Sequence, residues 1–122
     1  MTSTRLLIVD DMLQVRQELR HLLELEGDIE VAGEAADGRE AVAQAGLLQP
    51  DVILMDLEMP IMNGYEATRL IKSHHPACRV VALSLHVYPA AREKAIQAGV
   101  DIFIEKGAPI NTLVQAILNK EE

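Results

Sequence analysis

The chain has 122 residues, enough for one compact domain with a single core. Hydrophobic residues make up 49% of the chain and aromatic residues only 2%, so the core must be aliphatic. The formal net charge of −8 disfavours direct binding to nucleic acid, whose backbone is also negative. The single cysteine excludes an internal disulfide, and no apolar run approaches the roughly 20 residues of a membrane helix, which together favour a cytoplasmic protein.

Five short apolar runs predict β-strands, and the longer stretches between them predict helices. The first, third and fourth runs show little polar alternation, which is typical of strands covered on both faces of a parallel sheet. In chain order, the runs are Leu6–Val9, Ile29–Ala32, Val52–Met55, Val80–Leu83 and Ile102–Ile104.

Capping residues predict several of the helix boundaries. Asp37 and Glu40 have the spacing of a capping box, in which the acid inside the helix reaches back to the chain before it. Asn63 and Glu66 repeat the pattern before the third helix. The residues predicted to end the first and fourth helices and to begin the fifth are Gly27, Gly99 and Pro109.

Apolar residues at helical spacing predict which positions face the core. The stripe of the first helix includes Leu22 and Leu23, and that of the third includes Leu70 and Ile71. The stripe of the last helix consists of Ile110, Leu113, Val114 and Ile117.

The alternation of strands and helices predicts an α/β fold of five βα units. Right-handed crossovers would make it a doubly wound five-stranded parallel sheet with helices on both faces. We expect one domain over residues 1–122, with no output domain in this chain. Ligands in such folds bind at the carboxyl ends of the strands.

Charged and hydroxyl side chains stand at four of these strand ends. Asp10 and Asp11 follow the first strand, Asp56 the third, Ser84 ends the fourth, and Lys106 follows the fifth. Close carboxylates repel each other by about 4 kcal/mol per pair at an effective dielectric constant near 20, which predicts a divalent cation such as Mg²⁺. A carboxylate can also attack phosphorus, while the cation and Lys106 neutralise the phosphoryl charge and Ser84 donates a hydrogen bond.

From end to end, the chain resembles the receiver domain of two-component response regulators. Each motif alone is common, but their order and their places at the strand ends carry the resemblance. It implies the flavodoxin-like receiver fold, with strand order 2-1-3-4-5. The matching residues are Val9-Asp10-Asp11, Met55-Asp56, Met59-Pro60, Asn63-Gly64, Ser84, Ala98-Gly99-Val100-Asp101, and Phe103 with Lys106.

The resemblance implies a metal site for Mg²⁺ (or Mn²⁺). Asp11 is expected to bind the ion directly, Asp10 through a water molecule, and Asp56 as a further carboxylate ligand. The backbone carbonyl of Glu58 is expected to complete the protein ligands.

The resemblance also implies how the domain signals. Asp56 is the expected phosphoryl acceptor, and a sensor histidine kinase or a phosphotransfer protein is the expected donor. Ser84 and Lys106 are expected to hold the phosphoryl group, and Phe103 to rotate inward as Ser84 moves. This switch would control an output domain, most often a DNA-binding transcription regulator, or a homodimer contact. The domain would catalyse only its own phosphorylation and dephosphorylation.

The residues after the fifth strand depart from many receivers, which have Lys-Pro where this chain has Lys106-Gly107. No cis peptide is expected there, because cis bonds are almost confined to proline. Together with the short fourth helix, this departure resembles the NarL/FixJ (LuxR-type) subgroup.

Two positions near the site are candidates for setting how long a signal lasts. Glu58 lies two residues after Asp56, and His86 lies two residues after Ser84. Both would flank the path of the water that hydrolyses the acyl phosphate. We therefore hypothesise that they set the rate of dephosphorylation.

The same residues have other interpretations. Asp10 and Asp11 could cap the first helix, Asp56 could be a turn residue, and Ser84 could simply end a strand. A dehalogenase-like phosphatase would need a second aspartate two residues after its nucleophile at the first strand, where this chain has Met12. A flavin-binding module is disfavoured because Asp10 and Asp11 would repel its phosphate. A receiver that acts through protein contacts alone, without phosphorylation, is the remaining alternative.

Overall fold

The computed structural model describes residues 3–119, in which five strands alternate with five helices. The strands are β1 (Thr4–Val9), β2 (Ile29–Ala35), β3 (Val52–Asp56), β4 (Arg79–Ser84) and β5 (Ile102–Glu105). The helices are α1 (Leu13–Glu24), α2 (Gly38–Leu48), α3 (Gly64–His74), α4 (Pro89–Ala98) and α5 (Ile110–Leu118). The strands pair in parallel in the order β2-β1-β3-β4-β5, which confirms the predicted doubly wound fold.

Two apolar clusters cover the two faces of the sheet. Because side chains alternate along a strand, Leu6 and Ile8 of β1 join one cluster, while Leu7 and Val9 join the other. The first cluster includes residues of α1 and α5, and the second includes residues of α2, α3 and α4. This double coverage explains the nearly unbroken apolar runs of the inner strands.

The predicted caps of α2 and α3 are confirmed. The Asp37 side chain accepts a hydrogen bond from the backbone amide of Glu40 at 2.8 Å, and the Asn63 side chain accepts one from Glu66 at 3.0 Å. Glu40 reaches back as expected, although its carboxylate accepts from the amide of Ala36, at 2.7 Å. These bonds satisfy backbone donors that a helix start leaves unpaired.

Two leucines predicted to lie in the core are instead more than one-third exposed. Leu22 in α1 is 37% exposed and Leu70 in α3 is 39% exposed. The next residue in each helix, Leu23 and Ile71, is buried. The apolar sequence stripes are wider than the faces that touch the sheet, so each pair supplies only one core residue.

Two predicted helix boundaries are also wrong, one by three residues and the other by one. The first helix ends at Glu24, three residues before Gly27, and that glycine lacks the positive φ of a terminating glycine. Pro109 is the cap that precedes α5, and the first helical residue is Ile110. By contrast, Gly99 ends α4 as predicted, with a φ of 105°.

Candidate functional site

Three carboxylates meet at the carboxyl edge of the sheet. Asp10 and Asp11 follow β1, and Asp56 ends β3, which pairs directly with β1. One oxygen from each of the three lies within 4.8 Å of the others. Asp10 and Asp56 are buried, whereas Asp11 is exposed. This is a set of hard oxygen ligands that opens to solvent on one side, which suits a divalent cation that keeps some of its waters.

The two oxygens of Asp56 have different surroundings. Its Oδ1 accepts hydrogen bonds from the Lys106 ammonium at 2.9 Å and from the backbone amide of Glu58 at 3.0 Å. Its Oδ2 is buried and has no hydrogen-bond partner within residues 3–119. A buried carboxylate oxygen without a partner is costly, so we expect a water molecule, a cation or another ligand to satisfy it.

The charges of the site depend on each other. Burial raises the pKa of Asp56 from its ordinary value of 3.8 to about 6, although Lys106 and the Glu58 amide oppose that rise. Burial alone would lower the pKa of Lys106, but its contact with Asp56 outweighs burial and the net pKa is raised. At neutral pH the pair is therefore predominantly an ammonium and a carboxylate.

Asp10 has a local role that differs from helix capping. Its carboxylate accepts a hydrogen bond from the backbone amide of Met12 at 2.9 Å, before α1 begins. Met12 is the N-cap residue of α1, and its side chain makes no capping hydrogen bond within the part of the chain that the structure describes. The bond to Met12 turns the chain at the end of β1 and holds Asp10 beside the other two carboxylates.

Close backbone packing positions Asp56. Gly64, the first residue of α3, donates a hydrogen bond to the Leu57 carbonyl at 3.1 Å. A Cβ atom at Gly64 would overlap the carbonyl oxygen of Asp56 and lie 2.7 Å from the Leu57 Cα. Only glycine allows α3 to start this close to the end of β3.

Ser84 is fully buried at the end of β4, and its hydroxyl is bound to groups other than Asp56. The hydroxyl oxygen lies 2.6 Å from the Glu58 carboxylate, to which it donates, and accepts from the backbone amide of His86 at 2.9 Å. The sequence predicted that the Glu58 backbone carbonyl binds the metal and that Glu58 sets the rate of dephosphorylation. It did not predict this contact between the Glu58 side chain and Ser84. No local signal reveals it, because the two residues are 26 positions apart in the chain.

Phe103 and His86 lie on the α4 side of the site. The Phe103 ring is half-buried, packs against the second apolar cluster, and lies 4.8 Å from the Arg92 guanidinium carbon above it. The imidazole of His86 is exposed and its centroid lies 5.8 Å from that of the Tyr88 ring. Phe103 therefore occupies neither a fully exposed nor a fully buried position.

The chain after β5 brings Lys106 to Asp56. The backbone amide of Lys106 donates to the Ser84 carbonyl at 2.9 Å, which continues the pairing of β4 with β5. Gly107 follows with a φ of 91°, a left-handed conformation that favours glycine, and residues 3–119 contain no cis peptide bond. The glycine thus turns the chain where many receivers have a proline.

A parallel α/β fold with an acidic site at its carboxyl edge and a lysine on the central aspartate defines a class of signalling domain. The family model described as the response regulator receiver domain matches residues 6–118. The chain belongs to this response regulator receiver family.

Individual relatives place the chain near the NarL/FixJ (LuxR-type) subgroup. The response regulator VraR of Staphylococcus aureus is 41% identical over 115 residues, which are 94% of this chain and 55% of VraR. The signal receiver domain of the response regulator NarL from Mycobacterium tuberculosis has a TM-score of 0.93 at 32% identity, covering 98% of this chain and 96% of that one. A LuxR-family DNA-binding response regulator from Staphylococcus aureus has a TM-score of 0.88 at 31% identity, covering 95% and 97% respectively.

The length of the chain and the character of its helices add two further facts. The chain spans about half the length of the curated relatives it matches. Within residues 3–119, none of the helices is both long enough and apolar enough to cross a membrane.

Proposed function

We propose that this domain is a cytoplasmic phosphoacceptor switch in which Asp56 takes a phosphoryl group from a sensor histidine kinase or a phosphotransfer protein. The observation that carries the proposal is the buried Oδ2 of Asp56, which has no hydrogen-bond partner within residues 3–119. Its other oxygen is held by Lys106 and the Glu58 amide, so Oδ2 is the carboxylate oxygen left available as a nucleophile.

The acidic rim fits a magnesium ion. Asp10, Asp11 and Asp56 offer oxygen ligands within 4.8 Å of one another, and the Glu58 carbonyl belongs to the loop that immediately follows Asp56. Mn²⁺ prefers similar oxygen ligands and would serve as a substitute. When bound, such an ion neutralises charge on the phosphoryl group during transfer.

The protein contributes to the proposed transfer by positioning the side chains that contact the phosphoryl group. Oδ2 of Asp56 attacks phosphorus, a P–O bond forms, and the P–N bond to the donor's histidine breaks. The imidazole leaves with the electron pair and takes up a proton. Lys106, already 2.9 Å from the same carboxylate, would then pair with an oxygen of the phosphoryl group.

We propose that Ser84 and Phe103 convert phosphorylation into a change of shape. The hydroxyl of Ser84 would move to a phosphoryl oxygen, and the Phe103 ring, half-buried beneath Arg92, would move further inward. LuxR-family relatives include a DNA-binding response regulator, which favours control of transcription through an output domain or through a homodimer. DNA contact by the receiver itself is disfavoured by its net charge of −8.

We also propose that Glu58 and His86 set the lifetime of the phosphorylated state. Both line one open cavity of about 270 Å³ beside the site, together with Tyr65, Tyr88 and Lys94. Glu58→Asn and His86→Ala should change the rate of phospho-Asp56 hydrolysis. Equal decay rates in the wild type and both variants would remove these residues from the mechanism.

Acetyl phosphate with Mg²⁺ tests the phosphoacceptor proposal. Intact-mass spectrometry of the wild type should show the gain of one phosphoryl group, and Asp56→Asn should gain none. Size-exclusion chromatography of the same samples would report whether phosphorylation changes the oligomeric state. A wild type that stays unlabelled would favour a receiver that acts through protein contacts alone.

A further inference from the structure

The Glu58 side chain bridges two segments at the edge of the sheet. One carboxylate oxygen accepts the hydrogen bond from the Ser84 hydroxyl at 2.6 Å, and the other accepts from the backbone amide of Leu85 at 2.9 Å. We call these two hydrogen bonds the Glu58 latch. They connect the loop that follows Asp56 to the end of β4 and the start of the next loop.

The latch uses the only proton that the Ser84 hydroxyl can donate. A serine hydroxyl has one donor hydrogen and two acceptor lone pairs. The hydroxyl already accepts from the His86 amide at 2.9 Å, and its proton points toward Glu58 or, alternatively, toward the His86 carbonyl at 3.0 Å. In this arrangement Ser84 cannot donate to a phosphoryl oxygen on Asp56.

The loop that the latch holds has little packing of its own. Residues 85–88 are all exposed, including Leu85 at 65% and Tyr88 at 56%. The hydrogen bonds that Glu58 accepts from the Ser84 hydroxyl and the Leu85 amide attach the start of this loop to the segment that carries Asp56. Releasing Glu58 would therefore free the loop to move toward the site.

We propose that Glu58 is a positioning residue that holds the switch in its resting state by competing with the phosphoryl group for the Ser84 hydroxyl. The proposal rests on the phosphoacceptor function described above. Phosphorylation must break the Ser84–Glu58 bond before Ser84 can bind the phosphoryl group. A charge-assisted hydrogen bond of ordinary strength would then weaken phosphoryl binding about tenfold.

A second effect of Glu58 has to be separated from the latch. Its negative charge lies near the site and would repel an anionic ligand even without any contact to Ser84. Charge repulsion does not require the serine hydroxyl, whereas the latch does. Combining substitutions at both positions therefore distinguishes the two effects.

Binding of beryllofluoride, a phosphoryl analogue, provides the test. We would measure its affinity in the presence of Mg²⁺ by titration followed with two-dimensional NMR. Glu58→Ala should bind about tenfold more tightly than the wild type. Glu58→Gln keeps one acceptor and should show a smaller gain. Glu105→Ala, which removes an exposed carboxylate from the neighbouring strand, is the matched control and should bind like the wild type.

The same comparison in a Ser84→Ala background decides between the two effects. The latch predicts that Glu58→Ala no longer tightens binding once the hydroxyl is gone. Tightening of equal size with and without Ser84 would mean charge repulsion alone and would overturn the latch. Equal affinities of wild type and Glu58→Ala would overturn it as well.

Hydrogen exchange in the free protein gives a readout that needs no ligand. The Leu85 amide should exchange faster in Glu58→Ala than in the wild type, while core amides of β3 keep their rates. Unchanged exchange at Leu85 would contradict the latch even if Ser84→Ala bound too weakly to titrate. If the wild type binds no beryllofluoride, the phosphoacceptor proposal fails; if it binds and Asp56→Asn does not, a failure of the Glu58 variants concerns the latch alone.

Discussion

At the scale of single residues, the Asp56 carboxylate affects both the stability of the fold and the proposed chemistry of the site. Burial makes its charged form unfavourable, and only Oδ1 receives compensation, from Lys106 and the Glu58 amide. The protein thus keeps a buried charge that costs folding free energy, and within residues 3–119 its Oδ2 has no hydrogen-bond partner. That cost leads to two predictions.

Asp56→Asn should stabilise the fold at neutral pH in the absence of divalent cations. The pKa of Asp56 rises from 3.8 to about 6 on folding, so the buried charge destabilises the protein above pH 6 and ceases to do so below about pH 4. The gain should approach about 3 kcal/mol above pH 7 and disappear as the pH falls. Urea unfolding in EDTA at pH 7.5 and pH 4 measures it; a variant less stable than the wild type at pH 7.5 would contradict this prediction.

Lys106→Ala should have the opposite effect. Without its ammonium, the buried Asp56 charge loses its ion-pair partner, and stability at pH 7.5 should fall by about 1–3 kcal/mol. The loss should shrink as the pH falls toward 6, because the pKa of Asp56 is higher without Lys106 and the variant takes up a proton first. Arg69→Ala, which removes an exposed cation of α3, is the control and should change stability by less than about 0.5 kcal/mol. Equal losses in the Lys106 and Arg69 variants would argue against the pairing.

At the scale of elements, the sequence predicted features that depend on neighbouring residues better than contacts between residues far apart in the chain. The caps at Asp37 and Asn63 and the apolar runs of the strands depend on neighbouring residues, so they could be predicted. Leu70 could not be assigned correctly, because only the observed packing decides whether it or Ile71 faces the sheet. The contact of the Glu58 side chain could not be predicted for a similar reason, since its partner Ser84 is 26 positions away at the end of β4.

The start of α3 offers a test of how closely elements pack around Asp56. Gly64→Ala should destabilise the fold by about 1–3 kcal/mol, since its Cβ would overlap backbone atoms of Asp56 and Leu57. Gly46→Ala in α2 is the matched control: open space surrounds it, so helix propensity alone should stabilise by about 0.5–1 kcal/mol. Thermal unfolding of both variants reports the sign, and a neutral Gly64→Ala would refute the close approach.

At the scale of the whole molecule, two cores on either side of one sheet hold the site at its edge. The strand order places β1 and β3 side by side in the centre, which brings Asp10 and Asp11 to Asp56. The sequence was sufficient to predict this convergence, because parallel strands end at the same edge. It did not predict that the Ser84 hydroxyl would donate to the Glu58 carboxylate.

Cys78 reports on the integrity of the second core. The thiol is buried among the residues of that cluster, and burial raises its pKa to about 11. A thiol reagent at pH 8 should therefore label the folded protein far more slowly than the urea-unfolded protein. Comparable labelling rates would mean that this face of the sheet opens readily.

The central claim is that phosphorylation occurs at Asp56 and at no other acidic residue. Acetyl phosphate with Mg²⁺ followed by borohydride reduction converts a phospho-aspartate to homoserine, and peptide mass spectrometry then locates it. The structure predicts homoserine at position 56 in the wild type and none in Asp56→Asn. Homoserine at position 10 or 11, or labelling of equal extent in Asp56→Asn, would contradict the account.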